Sequence, residues 1–216
     1  MNINLKLENM KKVILLLILS VASLLVGAEE ISYKGISLSK KSCSQIYKEL
    51  VEKTNWYGKR GKGEDAELSI TYSNLPATIK PIAYEDLIGL VEWGALPALG
   101  IQITISVPEN KQTWKGILEY YNHVRHALMG KYGRPNLNHE FFKSPYSNYD
   151  SIEDKENGYI LGYAAYSSCF FDYDTRTSVI VDMESNWKII VTFIDANQED
   201  LSKQWKRTAT LHYSDM

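Results

Sequence analysis

Basic clusters are scarce in this 216-residue chain, and their scarcity removes a class of function at the outset. Its 24 lysines and arginines are spread against 26 acidic residues, and the one dense basic knot, KRGKGED at Lys59 to Asp65, is broken by glycines like a solvated turn. Phosphate neutralisation needs concentrated cations, so no nucleic-acid partner is expected. The sequence also lacks a Gly-rich phosphate loop, a G-x-S-x-G nucleophile elbow and a Cys-x-x-Cys pair. Without them it offers no motif for P-loop nucleotide hydrolysis, α/β-hydrolase chemistry or dithiol redox, and no cofactor is called for.

Long apolar runs are equally few. The single one, VILLLILSVASLLV, follows Lys11 and Lys12 and ends on Val26 of the small-residue Val26-Gly27-Ala28. It falls short of the roughly 20 residues of a permanent membrane helix and has the layout of a secretory signal, residues 1–28, cleaved after Ala28. A retained amino-terminal anchor is the alternative; a lipid anchor is not expected, because position 29 is Glu rather than Cys. Cleavage leaves residues 29–216 as a single domain of 188 residues, 216 less 28, enough for one substantial core. Three lysines leave with one glutamate, so the net charge moves from −2 to −4. The expected location is the periplasm or the outside of the cell, with no permanent membrane span.

Only two cysteines are present, Cys43 and Cys169. In an exported chain they form either one disulfide or two buried thiols. The disulfide would restrict the unfolded chain by about 5 kcal/mol in the entropy model. Neither cysteine has a histidine close in sequence or a nucleophile motif around it, so no catalytic thiol is expected.

The hydrophobic pattern supplies the architecture. After an extended lead-in, EEISYKGISLS, Ser42 caps a helix with Cys43, Ile46, Tyr47 and Leu50 on one face. Leu68, Ile70 and Tyr72 alternate as a half-buried strand. ATIKPIAY and DLIGLVEW are weaker strand candidates, the first weakened by Pro81, the second also readable as a helix. In GIQITISVP, Ile101, Ile103, Ile105 and Val107 face one way and polar residues the other. A long helix follows, with Trp114, Ile117, Leu118, Tyr121, Val124 and Leu128 within about 60° of one direction, and Arg125 inside the same arc. Gly130 or Gly133 closes it and Pro135 prevents continuation. Next come NHEFFKSPY, whose Phe141 and Phe142 must shape a surface, and an acidic, tyrosine-rich stretch read as a mobile loop. YILGYAAYSSCFF, TSVIVDME and WKIIVTFID predict an antiparallel meander, and Asn197 a cap for a short tail helix. The predicted class is α+β: a predominantly antiparallel sheet packed against one long and one shorter helix, with two helix-plus-meander halves near 42–107 and 111–194.

Three constellations could carry chemistry. Glu119, His123 and His126 lie about 160°, 200° and 140° from the apolar centre of the long helix, where they form either a solvated face or a surface zinc or copper site. Asp172, Asp174, Asp182 and Glu184 could supply paired carboxylates for glycoside hydrolysis, or be turn and wet-face residues. Among 15 tyrosines, Tyr146, Tyr149 and Tyr159 flank or lie in the acidic loop and are expected to be exposed as ligand-binding platforms.

The combination of Gly35 to Leu38 (G-I-x-L), Trp114 to Tyr121 (Trp-x-x-Ile/Leu-x-x-x-Tyr), Lys131 to Pro135 (KYGxP) and Phe141 to Tyr146 (FFxxPY) resembles small exported bacterial proteins of unknown function, of the gut-anaerobe type. VTFIDANQEDL resembles their final strand, with Phe193 in place of a tyrosine and Asn197 retained. The resemblance spans most of the mature chain, departs at 76–100 and after Tyr146, and implies export without any established activity. In outline the doubled helix-and-meander order is also similar to exported β-lactamase inhibitor proteins, an analogy of fold only. The expected function is therefore a non-enzymatic binding protein meeting a protein, peptide or glycan in the cell envelope. A periplasmic hydrolase using carboxylates or a metal is the alternative.

Overall fold

The computed structural model describes residues 32–38, 41–54, 56, 67–83, 98–172 and 177–195. The expected signal sequence, the basic turn, DLIGLVEW, Asp174 and the tail helix lie outside the described residues.

The lead-in folds into a tight turn, with Lys34 and Gly35 at positive φ and Tyr33 bridging Ile36. It delivers Tyr33, Ile36 and Leu38 to the core. Helix α1, Cys43–Lys53, starts where Ser42 predicts. Ser42 accepts the Gln45 backbone N–H, and the Gln45 side chain accepts the Ser42 N–H, so two otherwise orphaned donors are satisfied reciprocally. Cys43, Ile46 and Leu50 are its buried face.

Strands β1, Leu68–Tyr72, and β2, Leu75–Ala83, form a hairpin whose two turn residues, Ser73 and Asn74, both have positive φ. That twist suits a two-residue hairpin. β2 holds both Pro76 and Pro81, which would interrupt a central strand. Each lies where one neighbour is missing: Pro76 precedes the first β2–β3 pair, Thr78 with Thr104, and Pro81 lies past the last β1–β2 pair, Leu68 with Ile79. The prolines therefore remove donors where a ladder has already ended.

Strand β3, Ala98–Ser106, buries Ile101, Ile103 and Ile105 completely. Each such side chain is worth about 1.5–3 kcal/mol over exposure. After a short 3-10 turn, Glu109–Lys111, helix α2 runs over Trp114–Tyr132 with Thr113 as its cap. It ends at Gly133, φ 81°, whose N–H returns to the Met129 carbonyl. The predicted stripe is buried apart from the half-buried Leu118.

Past α2 the chain differs from expectation. NHEFF, for which no strand is predicted, is part of strand β4, Leu137–Phe142, and the acidic stretch expected to be a mobile loop contains helix α3, Ile152–Ile160. Strands β5, Ala164–Asp172, β6, Thr177–Glu184, and β7, Lys188–Asp195, then form the predicted meander. The seven strands make one antiparallel sheet in the order β1-β2-β3-β7-β6-β5-β4, so the class is α+β. Its two helix-first halves meet through the β3–β7 ladder. At Gly100 in that ladder a Cβ would lie 2.0 Å from the Phe193 carbonyl oxygen, so the close approach of the halves demands glycine.

The main core gathers side chains of all three helices with the inward residues of the sheet. A polar chain runs from the core outward at its β4–β5 side. The Tyr121 hydroxyl lies 2.8 Å from Ser168 Oγ, Ser168 donates to Asn138 Oδ1 at 2.6 Å, and Arg125 ion-pairs with Glu140. Arg125 therefore lies in the apolar arc because a carboxylate on the edge strand meets its guanidinium.

Candidate interaction surface

Helix α3 lies between β4 and β5 in the chain and is held at four points. Ser151 caps it by accepting the Asp154 N–H at 3.1 Å. Glu156 reaches back to accept the Trp114 N–H at 2.8 Å, placing a carboxylate on the first residue of α2, where the helix dipole favours negative charge. Gly158 lies beneath the Tyr146 ring; a Cβ there would come within 2.8 Å of Tyr146 Cγ. Tyr159 is the anchor, only 1% exposed: its hydroxyl donates to the Glu184 carbonyl and accepts the Trp187 N–H at 2.8 Å, clasping the β6–β7 turn. Its ring packs on Trp187 at 4.7 Å and on Trp114 at 6.0 Å, and burial pushes its phenol up to about 12.

The preceding loop is tied down as well. Asn148 accepts the Phe142 N–H at 3.2 Å and donates to the Glu140 carbonyl at 2.9 Å, covering two backbone groups of β4 as a neighbouring strand would. Asp150 accepts both the N–H and the hydroxyl of Ser147 at 2.7 Å, and these bonds hold its carboxyl below the usual carboxylate range.

This frame presents apolar side chains to water among its polar ones. Of the large hydrophobic side chains left exposed among the described residues, Tyr149 (99%), Ile152 (68%), Ile160 (52%) and Leu161 (64%) all belong to this insertion, and only Leu137 lies elsewhere. Ile152 and Ile160 are about 80° apart around the helix and about 12 Å apart along it. Exposed Glu153 and Asp154 lie between them in sequence.

The expected tyrosine trio is thus corrected. Tyr149 is exposed and Tyr146 half-buried against Tyr163, with ring centres 5.3 Å apart, but Tyr159 is a core residue. Helical spacing on α3 turns Gly158 and Tyr159 inward, an arrangement invisible while the segment is read as loop. The aliphatic residues beside the tyrosines were missed. Their signal was the pair Ile152 and Ile160-Leu161 bracketing an otherwise polar run.

The other candidates are dispersed. On α2, His123 Nε2 lies 2.7 Å from the Ser73 carbonyl, which can only accept, so that nitrogen carries the proton and joins α2 to the β1–β2 turn. Glu119 and His126 are exposed nearby in sequence, but no three His, Cys, Asp or Glu side chains among the described residues gather into a metal-binding group. The cysteines are free, which overturns the disulfide. Cys43 faces the main core from α1. Strand alternation turns Cys169 to the opposite face of the sheet, beside Ile180 and Ile194. Burial pushes the two thiols up to about 11 and about 12.

Asp182 and Glu184 are neighbours two residues apart on that opposite face of β6, while Asp172 projects to the helix side, so the carboxylates are split between the two faces of the sheet. Asp182 is paired in register with Ser167 and Ile190. The residue is only partly covered, yet its carboxyl is surrounded by protein. Desolvation raises it to about 6, the Ser167 hydrogen bond pulls it down and the Glu184 charge pushes it up. Glu184 is exposed and faces Lys188 in register.

No helix among the described residues is long and apolar enough to cross a membrane. Compared with family models, curated proteins and solved structures, the chain matches none.

Proposed function

We propose that this protein is an exported, non-enzymatic binding module whose α3 insertion meets a protein or peptide partner in the cell envelope. The observation that carries the reading is the concentration of exposed side chains, Ile152 and Ile160 on α3 with Tyr149 and Leu161 just outside its two ends, around a helix fixed from beneath by Tyr159, Gly158 and Glu156. Exposed apolar side chains scattered singly are ordinary; grouped on a rigid insertion they mark a contact surface. Pre-organisation matters because a helix already held in place adds little ordering cost on binding. Ile and Leu offer no flat stacking face for a sugar, so a polypeptide fits better than a glycan. The signal-like amino terminus and the resemblance to exported bacterial proteins support the envelope as the location.

The reading is tested by affinity capture from envelope extract with the wild type and with the double variant Ile152→Ser, Leu161→Ser. Both positions are exposed, so the variant is expected to melt like the wild type while losing a specific partner. Recovery of the same partner by both would remove α3 from the account.

A further inference from the structure

We infer that the segment recognised by this surface is a basic amphipathic one, with lysine or arginine flanking apolar anchors; the inference rests on the α3 reading above and names the chemistry of its partner. Between Tyr149 and Tyr163 the chain carries Asp150, Glu153, Asp154 and Glu156 against Lys155 alone, a net charge of −3 from four acids and one base. Lys155 is half-buried, and its charge acts on Asp150. Glu156 is occupied at the start of α2; Glu153 and Asp154 are exposed, with Asp154 Oδ2 also accepting the Ser151 hydroxyl at 2.7 Å. Two Ser147 donors favour the charged form of Asp150 and lower its carboxyl.

The carboxylates alternate in sequence with the apolar side chains. Asp150 lies between Tyr149 and Ile152, and Glu153 and Asp154 follow Ile152 within the next turn. A partner burying Ile152 and Tyr149 must therefore approach these carboxylates, and a cation on the partner removes the cost of desolvating them unpaired. The same charge repels an anionic lipid surface, which makes a polypeptide the complementary partner rather than a membrane.

The test is selection of a random displayed peptide library on protein purified from cells expressing the full chain, followed by affinity measurement of the enriched peptides. The expected peptides combine Lys or Arg with Leu, Ile, Phe or Trp. They should weaken by roughly tenfold or more on the double variant Ile152→Ser, Leu161→Ser, as truncating anchor residues does. They should weaken likewise on Glu153→Gln, Asp154→Asn, and affinity should fall as salt rises from about 0.05 to about 0.5 M. Peptides that need Ile152 and Leu161 but carry no basic residues and ignore salt would overturn this inference and leave the α3 surface standing. Peptides that bind the Ile152→Ser, Leu161→Ser protein unchanged, or no enrichment at all, would overturn both. Unaltered melting of each variant separates lost binding from lost folding.

Discussion

Replacing Tyr159 with phenylalanine removes one oxygen and tests what holds α3 in place. The hydroxyl donates to the Glu184 carbonyl and accepts the Trp187 N–H, so its loss leaves two backbone groups of the β6–β7 turn without their partner. An unsatisfied buried polar group costs about 1–3 kcal/mol. Glu184 is exposed and Trp187 half-buried, so water can reach part of this turn and the lower half of the range applies to each group. The expected destabilisation is about 2 kcal/mol, with the ring contacts to Trp187 and Trp114 retained. Urea unfolding followed by tryptophan fluorescence measures it, and amide exchange should quicken in α3 and in the 185–187 turn more than in β3. A change below about 0.5 kcal/mol, with exchange unaltered across α3, would refute the claim that this hydroxyl is the clasp.

Three further outcomes follow from the geometry. Gly100→Ala should destabilise the chain by more than about 3 kcal/mol, or prevent folding, because its Cβ would fall 2.0 Å from a backbone carbonyl that cannot move without parting β3 from β7; thermal melting checks it. A thiol reagent should count two free thiols per chain after unfolding and react slowly with either in the native state, because burial raises both thiols and hides them. Asp182 is raised from 3.8 in the unfolded chain to about 6 when folded, so between those values the native state holds the extra proton and stability falls as pH rises. The loss reaches roughly 3 kcal/mol by neutral pH at 1.36 kcal/mol per pH unit, and Asp182→Asn should flatten that slope in urea titrations between about pH 4 and 7.

Where side-chain period and terminators coincided, the sequence was readable. Ser42 with Gln45, the alternation from Ile101 to Val107, and the stripe from Trp114 to Leu128 ending at Gly133 all lie where their local chemistry puts them. The inserted helix was hidden because it is short, carries a glycine at 158, and owes its position to contacts distant in sequence, from Glu156 to Trp114 and from Tyr159 to Glu184. β4 was hidden by an edge position: Leu137 and His139 face away from the core, leaving Phe142 as its one buried residue. Pro81 argued locally against a strand that the unequal lengths of β1 and β3 permit. The same long-range packing decided the site. Tyr159 differs from Tyr149 through the turn it touches, which no neighbouring residue announces.

The α3 insertion is proposed to meet its partner through Tyr149, Ile152 and Leu161. That contact is tested most directly by placing a photo-crosslinking side chain at Ile152 or Leu161 in cells expressing the full chain, with the exposed Lys48 on α1 as the control position. Positions 152 and 161 should give a discrete covalent adduct with one envelope protein and position 48 none, and the adduct should be lost when Glu153 and Asp154 are neutralised. Adducts formed equally from all three positions, or from position 48 alone, would contradict that contact.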